Sequence, residues 1–502
     1  MTIEKLYDIY LRHPSIRTDT RQLQRGDLFF ALKGPNFNGN AFAIRALGLG
    51  AAYAILDETP AQLELLPPYS SDQLILVPDV LTALQQLALH HRRQFSIPFI
   101  AITGSNGKTT TKELIHAALS STFITYTTQG NLNNHIGIPL TLLSVRRDAQ
   151  LAVIEMGANH QKEIESYCAY TLPTHGIITN VGKAHLEGFG GPEGVKKGKG
   201  ELYDFLRAGN GTAFVLRDSA DLVQMSRGIP HIITYGTQNA NFTGVPAHSA
   251  PAAPPAPAEP AAHPAPSKPI APTDPTTPAA GATFLRVNIT HGAETGPIHT
   301  QLVGDYNLPN VLVAVAVAKH FGVPDAAIRQ SIEQYTPSNS RSQLIEKDGL
   351  HIILDAYNAN PSSMRAAIEN FARIPIRTAA PASSAPASST AAAHTAAPGA
   401  AAALDHKVLI LGAMAELGPE SLAEHQAIID LIAQYPWQQV VLVGGDFRKL
   451  SHPWLSFANS KEAGHWLAGV GLTDAWLLIK GSRSMKMEEV LSTPAAGDPF
   501  SC

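Results

Sequence analysis

One stretch constrains the fold of this chain more than any other. The apolar run Pro98-Phe99-Ile100-Ala101-Ile102 leads into Thr103-Gly104-Ser105-Asn106-Gly107-Lys108-Thr109-Thr110, and Lys112 to Leu119 then reads as a helix. A buried strand, a glycine loop and a helix in that order call for an α/β layer with the loop at a strand end. The glycines let backbone N–H groups approach an anion, and the helix start adds partial positive charge. Ile102 stands where the strict phosphate-loop pattern has its first glycine, so only Gly-x-x-Gly-Lys-Thr is present. The lysine, the threonine and the preceding strand still favour a nucleotide cradle over a plain glycine turn. On this reading Gly104, Ser105, Asn106, Gly107, Lys108, Thr109 and Thr110 hold ATP. Lys108 sits against its β and γ phosphates, and the Thr109 hydroxyl takes Mg²⁺.

The bulk properties exclude several classes. The 502 residues leave room for about three domains. A net charge of −4 gives no electrostatic case for nucleic acid or an anionic membrane. Cys168 and Cys502 are too far apart to suggest a disulfide framework or a metal site, and Cys168 reads as a small buried residue. The start, Met1 to Tyr7, lacks the pattern of a signal peptide. No apolar run approaches the roughly 18 residues of a membrane helix. A soluble, cytoplasmic protein is expected.

Two tracts interrupt the globular pattern. Residues 244–282 are mostly Ala and Pro, and residues 378–403 are Ala, Ser, Thr and Pro. Neither offers enough apolar surface to offset its ordering entropy, so both are expected as disordered insertions in loops. Around them short buried strands alternate with helices. Leu151–Ile154, Gly176–Thr179, Thr212–Leu216, Ile352–Leu354, Val408–Leu411 and Val440–Val443 read as strands, and Ser362–Phe371 and Ala423–Gln434 as helices. This is an α/β pattern with largely parallel sheets. The expected boundaries are 1–95, 96–335 and 336–502.

Polar clusters fall at the strand ends, where α/β folds place ligands. Glu155-Met156-Gly157-Ala158 follows one strand, and Thr179 to Glu187 follows another. With the phosphate-loop run, Gly130 to Gly137, His185-Leu186-Glu187-Gly188-Phe189-Gly190 and Gly304-Asp305-Tyr306-Asn307-Leu308-Pro309-Asn310, they resemble the Mur ligases of the peptidoglycan pathway. Asp355-Ala356-Tyr357-Asn358-Ala359-Asn360-Pro361, Met414 to Gly418 and Lys480-Gly481-Ser482-Arg483 resemble the branch that adds D-alanyl-D-alanine. The resemblance runs from about Asp19 to about Val490, outside the two Ala/Pro tracts.

The resemblance implies three domains: an N-terminal domain for the UDP end of the substrate, a central P-loop-type ATPase domain, and a C-terminal Rossmann-like domain that closes over it. ATP would phosphorylate the carboxylate of UDP-MurNAc-tripeptide, and the amine of D-Ala-D-Ala would attack the acyl phosphate. Thr109 and Glu155 would hold one Mg²⁺. His185 and a carbamylated Lys199 would hold a second, with Lys108, Lys199 and His185 the catalytic set. By the same resemblance Asn310 would contact adenine, and Arg341 and Asp355 would reach the nucleotide. Thr20, Arg21, Lys33, Asn134, Asn358 and Asn360 would touch the other substrates. A monomer is implied. Ala413 and Ala356 depart from the family's common aspartate and serine. Alternatives are a sister ligase that adds the third stem residue, a folylpolyglutamate-type ligase, and a nucleotide-binding scaffold without catalysis.

Overall fold

Strand Phe99–Thr103 is buried along its whole length, as a run of Phe, Ile, Ala, Ile and Thr without alternation requires. Such a strand has both faces covered and belongs inside a parallel sheet. It pairs in parallel with Leu151–Glu155 on one side and His175–Ile178 on the other. Thr125–Thr127 lies beyond Leu151–Glu155. Thr212–Leu216, His231–Gly236 and Phe242–Pro246 lie beyond His175–Ile178, every one of these pairings parallel. Helices Lys108–Ser120, Glu163–Thr171 and Pro192–Ala208 fill the connections. The C-terminal ends of the three inner strands therefore stand side by side, which is where an α/β fold builds a site.

The computed structural model describes residues 1–59, 71–247, 284–338, 340–374 and 406–492. Strand Phe242–Pro246 extends into the first expected tract, so that tract starts later than residue 244. The rest of it, the whole second tract and Cys502 lie outside the described residues. Two units are distinguished. One comprises Met1–Gly244, Ile289–Thr295 and Pro309–Ile332, and the other Val245–Asn288, Gly296–Leu308 and Glu333–Cys502.

The first unit also holds a smaller parallel sheet, ordered Ile16–Arg17, Leu28–Phe30, Tyr53–Leu56 and Leu74–Leu76. Its connection to the larger sheet is helix Val80–Arg92. His91 on that helix is buried, with Nε2 2.9 Å from the Val145 carbonyl and Nδ1 3.1 Å from the Tyr7 hydroxyl. A carbonyl only accepts, so Nε2 carries the proton and Nδ1 accepts from Tyr7. The Tyr10 hydroxyl donates to the Leu143 carbonyl. These bonds join the first helix, Ile3–Arg12, to the central layer. The apolar run Val311–Ala318 lies in helix Leu308–His320, buried on every face as its lack of a polar stripe dictates.

In the second unit six strands run in the order Gln343–Lys347, Leu350–Asp355, Trp476–Lys480, Lys407–Gly412, Gln439–Val443 and Leu455–Phe457. The first pair is antiparallel and the rest parallel. The helix expected over Ser362–Phe371 runs Pro361–Arg373, opened by Asn360 in a reciprocal capping box with Ser363 and by Pro361 at its first position. Its buried face carries Met364, Ala367, Ile368 and Phe371. With the parallel sheet of the first unit's N-terminal part and its central sheet, this gives the three-domain α/β architecture that the sequence suggested.

Candidate active site

The glycine loop leaves strand Phe99–Thr103 at Gly104, whose φ of +140° suits glycine alone. A Cβ there would lie 2.0 Å from Thr179 Oγ1. The loop is held from its neighbour strand. Ser105 N–H donates to the Asn180 carbonyl at 3.0 Å, Asn106 N–H to Asn180 Oδ1 at 3.0 Å, and Thr179 Oγ1 to the Asn106 carbonyl at 2.6 Å. Ser105 Oγ donates to Gly182 O at 2.8 Å. Helix Lys108–Ser120 starts at Gly107, with φ +78° and no side-chain cap. A helix start of this kind carries partial positive charge and favours an anion. Lys108 Nζ folds back onto the Gly104 carbonyl at 2.7 Å and the Ser105 carbonyl at 3.3 Å. Thr110 is half-buried in the first turn. Asn310 packs against this start: its Oδ1 accepts from Thr111 Oγ1 at 3.0 Å, and a Cβ on Gly107 would meet it at 2.8 Å.

Glu155 ends its strand 1% exposed. Thr109 Oγ1 is 3.0 Å from Oε2 and 3.2 Å from Oε1, and Asn133 Nδ2 donates to Oε1 at 2.7 Å. Thr128 Oγ1 accepts from the Glu155 backbone N–H at 2.9 Å, and buried Lys112 donates to the Thr128 carbonyl at 2.6 Å. These side-chain bonds to the carboxylate come from neutral donors. A buried carboxylate whose partners among the described residues are neutral calls for a cation. One carboxylate and one hydroxyl make an oxygen donor set that suits Mg²⁺.

Lys199, in helix Pro192–Ala208, is 1% exposed. Its Nζ donates to the Ala158 carbonyl at 2.9 Å and lies 4.7 Å from the Phe189 ring centroid. Burial, reinforced by the Lys108 charge, holds its pKa well below the usual lysine value. Its neighbours differ. Lys196 pairs with Glu193 and Asp221, and Lys197 is exposed. Lys199 is therefore the one of the three suited to react as a neutral amine. His185 caps the short helix Leu186–Phe189 with φ +52°, a conformation uncommon outside glycine. Among the described residues no three His, Cys, Asp or Glu gather as a metal cluster. The expected set contains only one Glu and one His, so a carbamate on Lys199 would be needed to add oxygen ligands.

In the second unit Asp355 and Lys480 are register partners on adjacent parallel strands, and Lys480 Nζ lies 2.6 Å from Asp355 Oδ2. Nζ also donates to the Asn358 carbonyl at 3.1 Å. Arg341 lies over the Tyr357 ring, 3.6 Å from its centroid. Asn358 is exposed, whereas Asn360 is buried as the helix cap. Asn134 is exposed and caps the turn before helix Gly137–Ser144, its Oδ1 accepting from Ile136 and Gly137 N–H. In the turn Thr20–Gln22, Arg21 is exposed and pairs with Asp19, whose carboxyl pKa its hydrogen bonds hold down to about 2. Thr20 opens the same turn. Lys33 bridges Asp57 and Glu58 at 3.0 and 2.8 Å.

The structure thus gathers Gly104 to Thr109, Glu155 and Asn310 around one helix start. It adds residues that the sequence reading did not assign: Asn133 on Glu155, Thr179 and Asn180 on the loop, and Lys480 on Asp355. Asn133 and Lys480 lie within motifs already singled out. The signal that could have found them is a polar residue at the end of a buried strand or beside one.

Residues 102–253 match the Mur ligase middle domain. The chain is 31% identical over 500 residues to the UDP-N-acetylmuramoyl-tripeptide–D-alanyl-D-alanine ligase of Escherichia coli K12, covering 95% of this chain and 92% of that protein. It superposes on the crystal structure of MurF from Acinetobacter baumannii with a TM-score of 0.74 and 26% identity, covering 98% of each chain. The MurF ligase of Thermotoga maritima, solved in complex with ADP, shares the fold with a TM-score of 0.73 and 22% identity, over 96% of this chain and 97% of that one.

Proposed function

Because the chain belongs to the Mur ligase family, we propose that it joins D-Ala-D-Ala to UDP-MurNAc-tripeptide with cleavage of ATP to ADP and phosphate. It is an amide ligase of peptidoglycan synthesis. The observation that carries the mechanism is the helix start at Gly107 beside the Thr109–Glu155 pair.

A carboxylate is a poor acyl donor, so a phosphoryl group must first supply the leaving group. Moving the γ-phosphoryl group of ATP onto the tripeptide carboxylate brings two anions together. Lys108 and the N–H groups of the helix start would offset that charge in the transition state. Mg²⁺, when held by the Thr109 hydroxyl and Glu155, supplies a hard cation beside the phosphates. Asn133 fixes the carboxylate that would hold it. Lys199, as a neutral amine, would add CO₂ with loss of a proton, and the carbamate would offer oxygen ligands that, with His185, would hold a second cation. The neutral amine of D-Ala-D-Ala would then attack the acyl carbon, forming the amide bond and releasing phosphate. Positioning supplies much of this step. A reaction that draws on ATP places the protein in the cytoplasm on this reading.

Phosphate release from Mg-ATP is the test, with UDP-MurNAc-tripeptide present and D-Ala-D-Ala added or withheld. Release that needs both, with a UDP-linked pentapeptide as product, is expected. Release with a single amino acid or glutamate in place of the dipeptide would assign a sister ligase activity. No release with any pair would leave the scaffold reading.

A further inference from the structure

Two imidazoles outside the phosphate-loop site face one another. His175 opens strand His175–Ile178 and His320 ends helix Leu308–His320, and their Nε2 atoms stand 3.2 Å apart. His175 is register partner to Ile100 and Ile178 to Thr103, so the pair lies at the end of the strands opposite the glycine loop. Aromatic rings back it: Phe321 is 5.1 Å from the His175 ring, and Phe214 meets His320 edge-on at 5.6 Å. His320 is exposed and His175 half-buried.

The hydrogen bonding around His175 aims a lone pair at this gap. Thr174 Oγ1 accepts from Phe99 N–H at 3.0 Å and lies 3.2 Å from the Phe99 carbonyl and 2.8 Å from His175 Nδ1. With the hydroxyl proton on the Phe99 carbonyl, His175 Nδ1–H donates to Thr174 and Nε2 is left as an acceptor. A ring oriented through its other nitrogen is the arrangement that prepares a histidine to bind a metal. Burial holds the His175 pKa down to about 4 and lowers that of His320, so both rings are neutral, the form that ligates.

Two nitrogens each about 2.05 Å from a tetrahedral Zn²⁺ lie about 3.3 Å from one another. The observed separation of 3.2 Å fits that span. We infer that His175 and His320 form a two-imidazole site for a borderline divalent transition cation of the Zn²⁺, Ni²⁺ and Cu²⁺ class. No third His, Cys, Asp or Glu joins them among the described residues, so water completes the coordination. A bound ion ties the last residue of a buried helix to the first residue of a central strand.

The test uses the untagged, EDTA-treated full chain in excess Mg²⁺, so that the oxygen site around Glu155 does not report. Calorimetric titration with Ni²⁺ is expected to show one equivalent, weakened at least about tenfold in His320→Ala. Cu²⁺ added to the wild type is expected to give an electron paramagnetic resonance spectrum with two nitrogen donors. His320 is exposed, so its replacement leaves the fold and Mg-ATP-dependent phosphate release intact. Ni²⁺ binding that is absent in the wild type, or equal in the wild type and His320→Ala, would overturn the inference and leave the pair as a hydrogen bond between two rings.

Discussion

Asn133 Nδ2 donates to Glu155 Oε1 at 2.7 Å while Thr109 Oγ1 approaches the other oxygen at 3.0 Å, so two neutral groups fix a buried carboxylate from both sides. Replacing Asn133 by Ala removes the clamp without touching the phosphate loop. The Mg²⁺ concentration giving half-maximal phosphate release should rise about 10- to 100-fold. A Mg²⁺ titration that superposes on the wild type would show that Asn133 only fills space.

Gly104 offers a sharper lesion. Its φ of +140° and the 2.0 Å approach of Thr179 Oγ1 leave no room for a methyl group. In Gly104→Ala the loop must move, and the KM for ATP should rise at least about tenfold with helix content unchanged. An unaltered KM would mean that the loop tolerates a different path.

Much of this site was legible in the sequence because it is local. The run from Phe99 to Leu119 specifies strand, loop and helix within about twenty residues, and the structure follows it. Glu155 was legible as the polar residue that ends an apolar run. What the sequence hides is reach. Asn133 meets Glu155 across 22 positions, and Lys480 meets Asp355 across 125. Both contacts depend on which strands become neighbours, and strand order is a property of the whole sheet. Asn360 and Asn134 show the converse. Their asparagine chemistry suits a substrate, yet the structure shows both serving helix starts, a use that local sequence leaves equally open.

Lys199 should be the carbamate carrier. ¹³C-bicarbonate is expected to give one carbamate resonance in the wild type that is absent in Lys199→Ala, with phosphate release in the variant falling about 100-fold or more. A resonance that persists in the variant would move the modification elsewhere.

The Lys480–Asp355 pair is nearly enclosed, with side-chain exposures of 2% and 18%. Lys480→Met strands Asp355 and should lower the stability of the second unit by roughly 1–3 kcal/mol. The double variant with Asp355→Asn should recover part of that loss, though not ligase activity. Thermal unfolding and phosphate release on the wild type, each single variant and the double variant separate the two effects.

Acid should loosen the first unit through His175. Its pKa is 6.5 ordinarily and about 4 when folded, because burial disfavours the cation. Between those values the unfolded chain takes up a proton that the folded chain refuses, so stability falls as pH drops from 6.5 toward 4. Thermal melts of metal-free protein across that window should show a steeper fall for the wild type than for His175→Gln. Parallel curves would place the proton uptake on other groups.

Helix Lys108–Ser120 opens on a glycine, which has no side chain to cap it. Its positive end faces the loop that the sequence reading gives to the phosphates. A nucleotide bound there stabilises the folded chain by mass action, so ATP is a conformational stabiliser of this ligase as well as its fuel. The melting temperature should rise with added Mg-ATP in proportion to the logarithm of its concentration once the site is near saturation.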